Sequence, residues 1–237
     1  MSRELYMERI KNAYEASYRC EGGSWGRGYW NSVVEQLHRN YWRGIEKSKN
    51  DSHRKEGMNI FHVDTDPKIC AEQMCDKHVV KMVIETAQLL STTHRVVDGK
   101  EYKGKTKSNR NIKRWLHPDS EMETKLYKAC HVNHPSTIWT RETSSNYEWL
   151  YTHFVALCDE YTHRYGKVHM TDTKLRNTLS RTPRNLLQGE VTEFKQCMPD
   201  YCKRKNPIEA YRVYYINEKK DFARWTKRNI PSWYISA

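Results

Sequence analysis

The sequence lacks any long hydrophobic run. No stretch of about 18 apolar residues occurs, which argues against a conventional membrane-spanning helix. The opening residues 1–4 lead directly into charged side chains, so we expect neither a secretory leader nor a lipid anchor. Internal repeats, coiled-coil heptads and low-complexity tracts are also missing. These absences favour a globular protein of a cytoplasm-like compartment with no membrane partner.

The sequence also lacks cysteine pairs with the two-residue spacing typical of zinc sites. The seven cysteines are interpreted as reduced, mostly buried thiols. A zinc site is the alternative, and its candidate ligands are Cys70, Cys75, His78, Cys130, His131 and His134. We predict no metal site, and no sequence motif identifies a cofactor. The glycine-rich residues 22–30 form neither a phosphate-binding Walker loop nor a dinucleotide-binding fingerprint.

Basic and aromatic residues are abundant. The formal net charge is +12, and the chain contains 16 Tyr and 8 Trp. An aromatic-rich chain is typical of a folded protein, and a basic one of a protein that binds polyanions. The composition therefore predicts a nucleic-acid partner, with DNA favoured over RNA, although a charge that serves only solubility is the alternative.

The fold class is predicted to be mainly α, with one helical core domain. Residues 1–57 are expected to form a helical N-terminal extension containing the Gly/aromatic loop, and residues 58–237 the core. The charged, apolar-poor segment 47–57 is the predicted linker, and residues 58–63 are predicted to form a short opening strand.

Capping signals and apolar spacing predict the helices of the core domain. One helix begins at Asp66-Pro67 and continues to about residue 93, and a short one follows the Asn133-His134-Pro135 cap. Residues 145–165 and 206–225 are predicted to form longer helices. Residues 97–120 are expected to be a loop or an insertion, and residues 166–206 to be irregular.

Two segments carry most of the candidate chemistry. Lys77, Lys81, Glu85 and Gln88 share one face of the predicted helix, where they either bind phosphate or form a solvated row of ion pairs. The second segment has imidazole, amide, guanidinium and indole groups, and its candidates are Asn133, His134, Trp139, Arg141 and Trp149.

We predict roles for these side chains from their chemistry. Asn133 and His134 would read or activate a base, Arg141 would hold a phosphate, and Trp139 or Trp149 would stack on bases. Structural roles, with the indoles in the core and Asn133 as a helix cap, are the alternative.

Further candidates lie outside these segments. Asp64 or Glu85 would be the general acid or base. Lys77, Lys81, Arg224 and Lys227 would follow the nucleic-acid backbone, and Arg27, flanked by aromatic residues, would add a small stacking platform. A solvated helix face and a plain turn are the respective alternatives.

Residues 58–234 resemble a family of small tailed-bacteriophage proteins. The matching runs are 75–82, Asn133-His134-Pro135 with Trp139 and Arg141, 146–150, and Trp225 to Trp233. The resemblance implies a phage origin and a location in the host cytoplasm. In general character the chain is also similar to the putrescinyl-thymine pyrophosphorylase-like proteins, which are implicated in base hypermodification, and to the pyrimidine-dimer glycosylases. Of the latter only the aromatic, basic C-terminal character matches, and Met1-Ser2 stands in place of their threonine amine nucleophile.

These observations together predict a phage-encoded, nucleic-acid-acting enzyme that modifies or excises a DNA base. Two other classes are kept as alternatives. One is a non-catalytic DNA- or RNA-binding accessory factor, and the other is a protein that binds a host protein in anti-defence or host takeover.

Overall fold

The computed structural model describes residues 59–106 and 108–235, together with residues 8, 9, 11, 12 and 33. The chain forms two compact units, Met1–Gly57 and Met58–Ala237. The five described residues of the first unit are helical, and the rest of the predicted extension lies outside the described residues. None of the described helices has the length and apolar character that a membrane span needs.

The second unit is mainly α, as predicted. Its α-helices are α1 (Pro67–Gln73), α2 (Asp76–Asp98), α3 (Ser120–Lys125), α4 (Pro135–Thr140), α5 (Ser144–Tyr165), α6 (Met170–Leu179), α7 (Pro207–Glu218) and α8 (Ser232–Ile235). A 3₁₀ turn spans Asp200–Cys202, and two strands, β1 (Lys100–Lys105) and β2 (Asn111–Leu116), form an antiparallel hairpin.

The helix starts follow the capping chemistry of the sequence. The Asp66 carboxylate accepts hydrogen bonds from the backbone N–H groups of Lys68 and Ile69, and Pro67 occupies the first turn of α1. The predicted single helix from residue 66 to 93 is wrong, because Met74 and Cys75 are extended and divide it into α1 and α2. Asn206 caps α7 as predicted, but that helix ends at Glu218 rather than near residue 225.

Two other segments differ from the sequence-based expectation. Residues 97–120 contain the end of α2 and a regular hairpin, in which Gly104 pairs with Ile112, so the expected loop is wrong, whereas the alternative of an insertion stays a prediction. The strands are rich in lysine and mostly exposed, which hides the usual apolar alternation. Helix α6 lies within the predicted irregular region, and His169 caps it by accepting from the Thr171 N–H.

The predicted strand at residues 58–63 is not formed by the residues that the structure describes there. Residues 59–63 are irregular and buried, and Phe61 has a left-handed φ of 53°. The Phe61 ring packs against His78, Tyr211, Tyr214 and Tyr215, so core contacts determine its conformation instead of strand pairing.

Helix α5 packs on α1 and α2, and a buried arginine connects the three. The Arg164 side chain has no exposed area and bonds to Glu160, to Asp76 and to the carbonyl oxygens of Glu72 and Met74. A buried guanidinium with this many partners fixes where α2 begins.

Candidate functional site

The outward side of α2 combines basic and apolar side chains. Lys77 is exposed and Lys81 partly exposed, and Val80 and Ile84 on the same helix are 39% and 40% exposed. This face therefore offers positive charge together with apolar groups, a combination suited to the phosphates and base edges of a nucleic acid.

Glu85 lies at the edge of this face with its carboxylate largely buried. Its Oε1 atom is 3.3 Å from Lys81 Nζ, and its buried Oε2 atom has no hydrogen-bond partner among the described residues. Burial raises the pKa of Glu85, while Lys81 and the backbone N–H of Asn59 act in the opposite direction. A carboxyl group with a raised pKa and an unused oxygen is suited to accept or release a proton.

The turn at residues 131–134 lies close to Glu85. Thr92 of α2 holds its start, because the Thr92 hydroxyl accepts from the Cys130 N–H at 3.2 Å. His131 lowers the pKa of Glu85, and Glu85 raises that of Cys130, so the carboxylate and the turn interact electrostatically. The structure thus brings together Glu85 and the turn that carries Asn133 and His134, whose candidate roles remain predictions.

His134 is held in one tautomer by the start of α4. Its Nδ1 accepts from the Ser136 N–H at 3.2 Å, so the proton of the neutral ring is on Nε2. Burial lowers the pKa of His134, with a further contribution from His131, and this favours the neutral ring. His134 can therefore donate a hydrogen bond through Nε2, whereas the exposed Asn133 leaves its amide available to a ligand.

Arg141 supports this turn from within the protein. Its Nη1 donates to the Val132 carbonyl oxygen at 2.7 Å, and burial lowers the pKa of the guanidinium. This contact makes Arg141 a positioning residue for the turn in this conformation, and the phosphate contact expected from the sequence stays a prediction.

Replacing Arg141 by alanine should loosen the turn without unfolding the domain. Loss of one charge-assisted hydrogen bond is expected to cost about 1.5–3 kcal/mol of unfolding free energy, which urea denaturation would measure. Arg204→Ala is a matched control, because exposed Arg204 also donates to backbone carbonyls but at residues 201 and 203. Equal losses of unfolding free energy in Arg141→Ala and Arg204→Ala would show that Arg141 does not specifically stabilise the turn.

The structure corrects the stacking role predicted for two tryptophans. Trp139 is fully buried and donates from Nε1 to the Thr192 carbonyl oxygen, and Trp149 is 8% exposed and donates to that of Thr65. Both indoles pack against His62 and Phe194. Because their ring faces are covered by the core, they offer no surface to a base in this conformation.

The remaining sequence candidates are not assembled around Glu85. Asp64 accepts from the Asp66 N–H and pairs with Arg212 at 3.4 Å, which gives it a structural role. Lys227 donates to the His163 carbonyl oxygen, and Arg224 is exposed. The helix predicted over residues 206–225 would have carried Arg224, but α7 ends at Glu218, so Arg224 and Lys227 both lie beyond it. Arg27 lies outside the described residues.

Two cavities lie elsewhere in the second unit. The larger, about 490 Å³, is lined by the acids Glu72, Asp159 and Glu160, and Glu160 is already paired with Arg164 and Arg228. Lys68, His163 and Arg228 also line this cavity, so its charge is mixed. The smaller, about 360 Å³, contains His94, Asp98 and His117. The thiols weighed as zinc ligands do not assemble, since among the described residues only that histidine–aspartate group has metal-ligand geometry.

The sequence indicated His131 only as a candidate zinc ligand, and it gave no signal for the backbone of Asn59. His131 has a left-handed φ of 48°, which is uncommon for a residue other than glycine. Its position just before the Asn133-His134 pair is the only signal in the sequence, and Asn59 contributes a backbone group that no side-chain pattern reveals.

Part of the second unit matches a known protein family. Residues 58–174 match the pyrimidine dimer DNA glycosylase family. The match covers just under half of the chain, and it includes Glu85, Lys81 and the whole 131–134 turn. No curated protein and no solved structure matches the chain significantly. The match supports a glycosylase-like family, a DNA substrate and an activity of the base-excision type, but it does not bear on a phage origin.

Proposed function

We propose that this chain is a DNA glycosylase that acts on pyrimidine dimers, with Glu85 at its catalytic centre. The observation that supports this most directly is the buried Glu85 carboxylate, which has an oxygen with no hydrogen-bond partner among the residues that the structure describes and lies inside the segment that matches the glycosylase family. The neighbouring turn adds hydrogen-bonding groups beside it. The proposal also requires that the damaged nucleotide be displaced from the helix, because the glycosidic bond is otherwise screened by stacking.

The reaction follows from the protonation states of the site. The C1′–N bond of the damaged nucleotide breaks, and its electron pair goes to the departing base. Glu85 removes a proton from the water that adds to C1′, and a proton from the solvent neutralises the base. His134 Nε2–H donates a hydrogen bond to a base oxygen, which stabilises the negative charge that develops there.

Water is proposed as the nucleophile because the first residue of the matched segment has no free α-amino group that could attack C1′. Residue 58 follows Gly57 through a peptide bond, so its nitrogen is an amide and is not nucleophilic. The Lys81 amine is engaged by Glu85 at 3.3 Å. The product would be an abasic site in an uncut strand.

The proposal is tested with a duplex oligonucleotide that contains one cyclobutane pyrimidine dimer. We expect an alkali-labile site at the dimer, no strand cleavage before alkali, and no covalent adduct trapped by borohydride. Tight binding to dimer-containing DNA without any alkali-labile site would favour the accessory-factor alternative. A trapped adduct on Lys81 would replace water by an amine while leaving the glycosylase proposal intact.

Binding to DNA should depend on the basic face of α2. Lys77→Gln is expected to weaken duplex binding uniformly across sequences and to reduce the slope of log affinity against log salt by about 1. Fluorescence anisotropy over a salt series measures this slope. Lys125→Gln is the control, because Lys125 is paired with Glu121 on α3. An unchanged slope in Lys77→Gln would remove this residue from the DNA interface.

The proposal includes a phage origin and action in the host cytoplasm, as the sequence resemblance implies. Base hypermodification is the alternative reaction, and its product differs from that of excision. Nucleoside mass spectrometry of treated DNA would show an abasic sugar for excision and a heavier nucleoside for modification.

A further inference from the structure

Three donor side chains meet at the end of α2, in the smaller cavity. His94 and Asp98 are one helical turn apart, and His117 follows β2. Their candidate donor atoms all lie within 4.8 Å of one another. Both imidazoles are more than nine-tenths buried, and each has a nitrogen without a hydrogen-bond partner among the described residues, Nδ1 in His94 and Nε2 in His117.

The tautomer of His94 is set by a chain of hydrogen bonds. The Tyr147 hydroxyl donates its one proton to the Leu179 carbonyl oxygen at 2.8 Å, so its oxygen accepts from His94 Nε2–H at 2.9 Å. The neutral ring then has an unshared electron pair on Nδ1. The Arg181 backbone raises the pKa of His94 against the larger lowering by burial, but within the described part of the chain no group hydrogen-bonds Nδ1. A neutral imidazole whose other nitrogen donates a hydrogen bond is the usual form of a metal-binding histidine.

The other two side chains are also held in place. His117 Nδ1 lies 3.4 Å from the Asp119 carbonyl oxygen and 3.2 Å from its N–H, so either tautomer has a partner there. The bond from the Asp119 N–H puts the proton of the unbound neutral ring on Nε2, so a cation that binds Nε2 displaces this proton to Nδ1, where the Asp119 carbonyl oxygen accepts it. Asp98 accepts from the N–H groups of Arg184 and Asn185 and from the Asn185 side chain, which orients its carboxylate.

We propose that His94 Nδ1, His117 Nε2 and the Asp98 carboxylate bind one divalent transition-metal ion of the zinc class. Two imidazoles and a carboxylate are a ligand set that Zn²⁺ uses where a further coordination position stays open. Here that position faces a cavity of about 360 Å³ that Arg181 and Arg184 also line, so water or an anion would occupy it. This site goes beyond the proposed glycosylase function and does not depend on it.

The test is titration of the full-length chain with Zn²⁺ alone, followed by calorimetry, and with Co²⁺ alone, followed by its visible spectrum. We expect one high-affinity Zn²⁺ per chain and a Co²⁺ spectrum without sulfur-to-metal charge transfer. His117→Gln should weaken Zn²⁺ binding by more than about tenfold, from the loss of one ligand. His163→Gln, at an exposed histidine outside the cavity, should leave the affinity unchanged.

A second variant keeps the test decisive if His117→Gln is unstable. His117→Cys replaces one ligand by another, so the Co²⁺ complex should persist and gain a sulfur-to-metal charge-transfer band. Zn²⁺ binding that is unaffected by His117→Gln would overturn the proposal. So would a thiolate band in the unmodified protein, because that would place the ion at cysteines.

Discussion

Replacing Glu85 by glutamine is expected to lower the rate of base excision by roughly 10²–10⁴-fold, the range that a positioned general base contributes. Glutamine has nearly the same shape, but it cannot accept the proton of the attacking water. The measurement is the single-turnover rate of abasic-site formation in duplex DNA with one pyrimidine dimer, at saturating protein. DNA affinity should change little, because the backbone contacts are assigned to lysines and arginines.

The matched control for this variant is Glu121→Gln. Glu121 pairs with Lys125, four residues on, at 2.7 Å, whereas Glu85 pairs with Lys81, four residues before it, and Glu121 is exposed and lies on α3. Both variants lose an ion pair of the same helical type, worth only about 0.3–0.5 kcal/mol, so neither should unfold. Excision by Glu85→Gln within about threefold of the unaltered protein would remove Glu85 from the catalytic centre.

The pH dependence of excision gives a second test of this role. Since burial raises the pKa of Glu85, the general base becomes protonated at a higher pH than an exposed glutamate would. The rate should therefore fall as the pH drops through this raised pKa. A single-turnover rate that stays constant as the pH drops through the raised pKa of Glu85 would contradict the assignment of Glu85 as the base.

Acid is expected to unfold the second unit between about pH 6.5 and pH 4. Burial lowers the pKa of six described histidines and does so most strongly in four of them, to about 4 in His94 and His153 and well below the ordinary value of 6.5 in His62 and His78. All four are neutral in the folded protein, whereas the unfolded chain binds protons below about pH 6.5. Their stabilisation is complete above that pH and is lost as the pH falls through the folded-state pKa values.

The expected size of this effect is comparable to the stability of a whole domain. A lowering from 6.5 to about 4 corresponds to roughly 3 kcal/mol for each of His94 and His153, and domains unfold with about 5–15 kcal/mol. Glu85 acts in the opposite direction, because a raised acid pKa stabilises the folded state at low pH, but it is one group against four.

Urea denaturation between pH 7.5 and pH 4.5, followed by circular dichroism, measures this loss. His153→Asn should reduce the steepness of the pH dependence, since one proton-binding group is removed from the unfolded chain. His163→Gln, at an exposed position, should leave it unchanged. An unfolding free energy that stays constant from pH 7 to pH 4.5 would show that these imidazoles are not held neutral.

Local chemistry in the sequence determined much of the secondary structure. Asp66-Pro67 and Asn206-Pro207 start helices because a short polar side chain caps the backbone N–H groups and proline fits the first turn. Gly166 ends α5 with a φ of 66°, which glycine adopts without steric cost. The mainly α class and the shared face of Lys77, Lys81 and Glu85 follow from the same short-range rules.

Long-range packing determined the rest. Glu85 and His131 are far apart in the sequence, and the contact of Thr92 with residue 130 brings their segments together. Trp139 and Trp149 look like stacking residues in the sequence, but the tertiary structure buries them because their large apolar area is worth more inside the core. Periodicity and capping act over a few residues, whereas burial, the raised pKa of Glu85 and the meeting of His94 with His117 depend on elements that are distant in sequence and adjacent only in the folded protein.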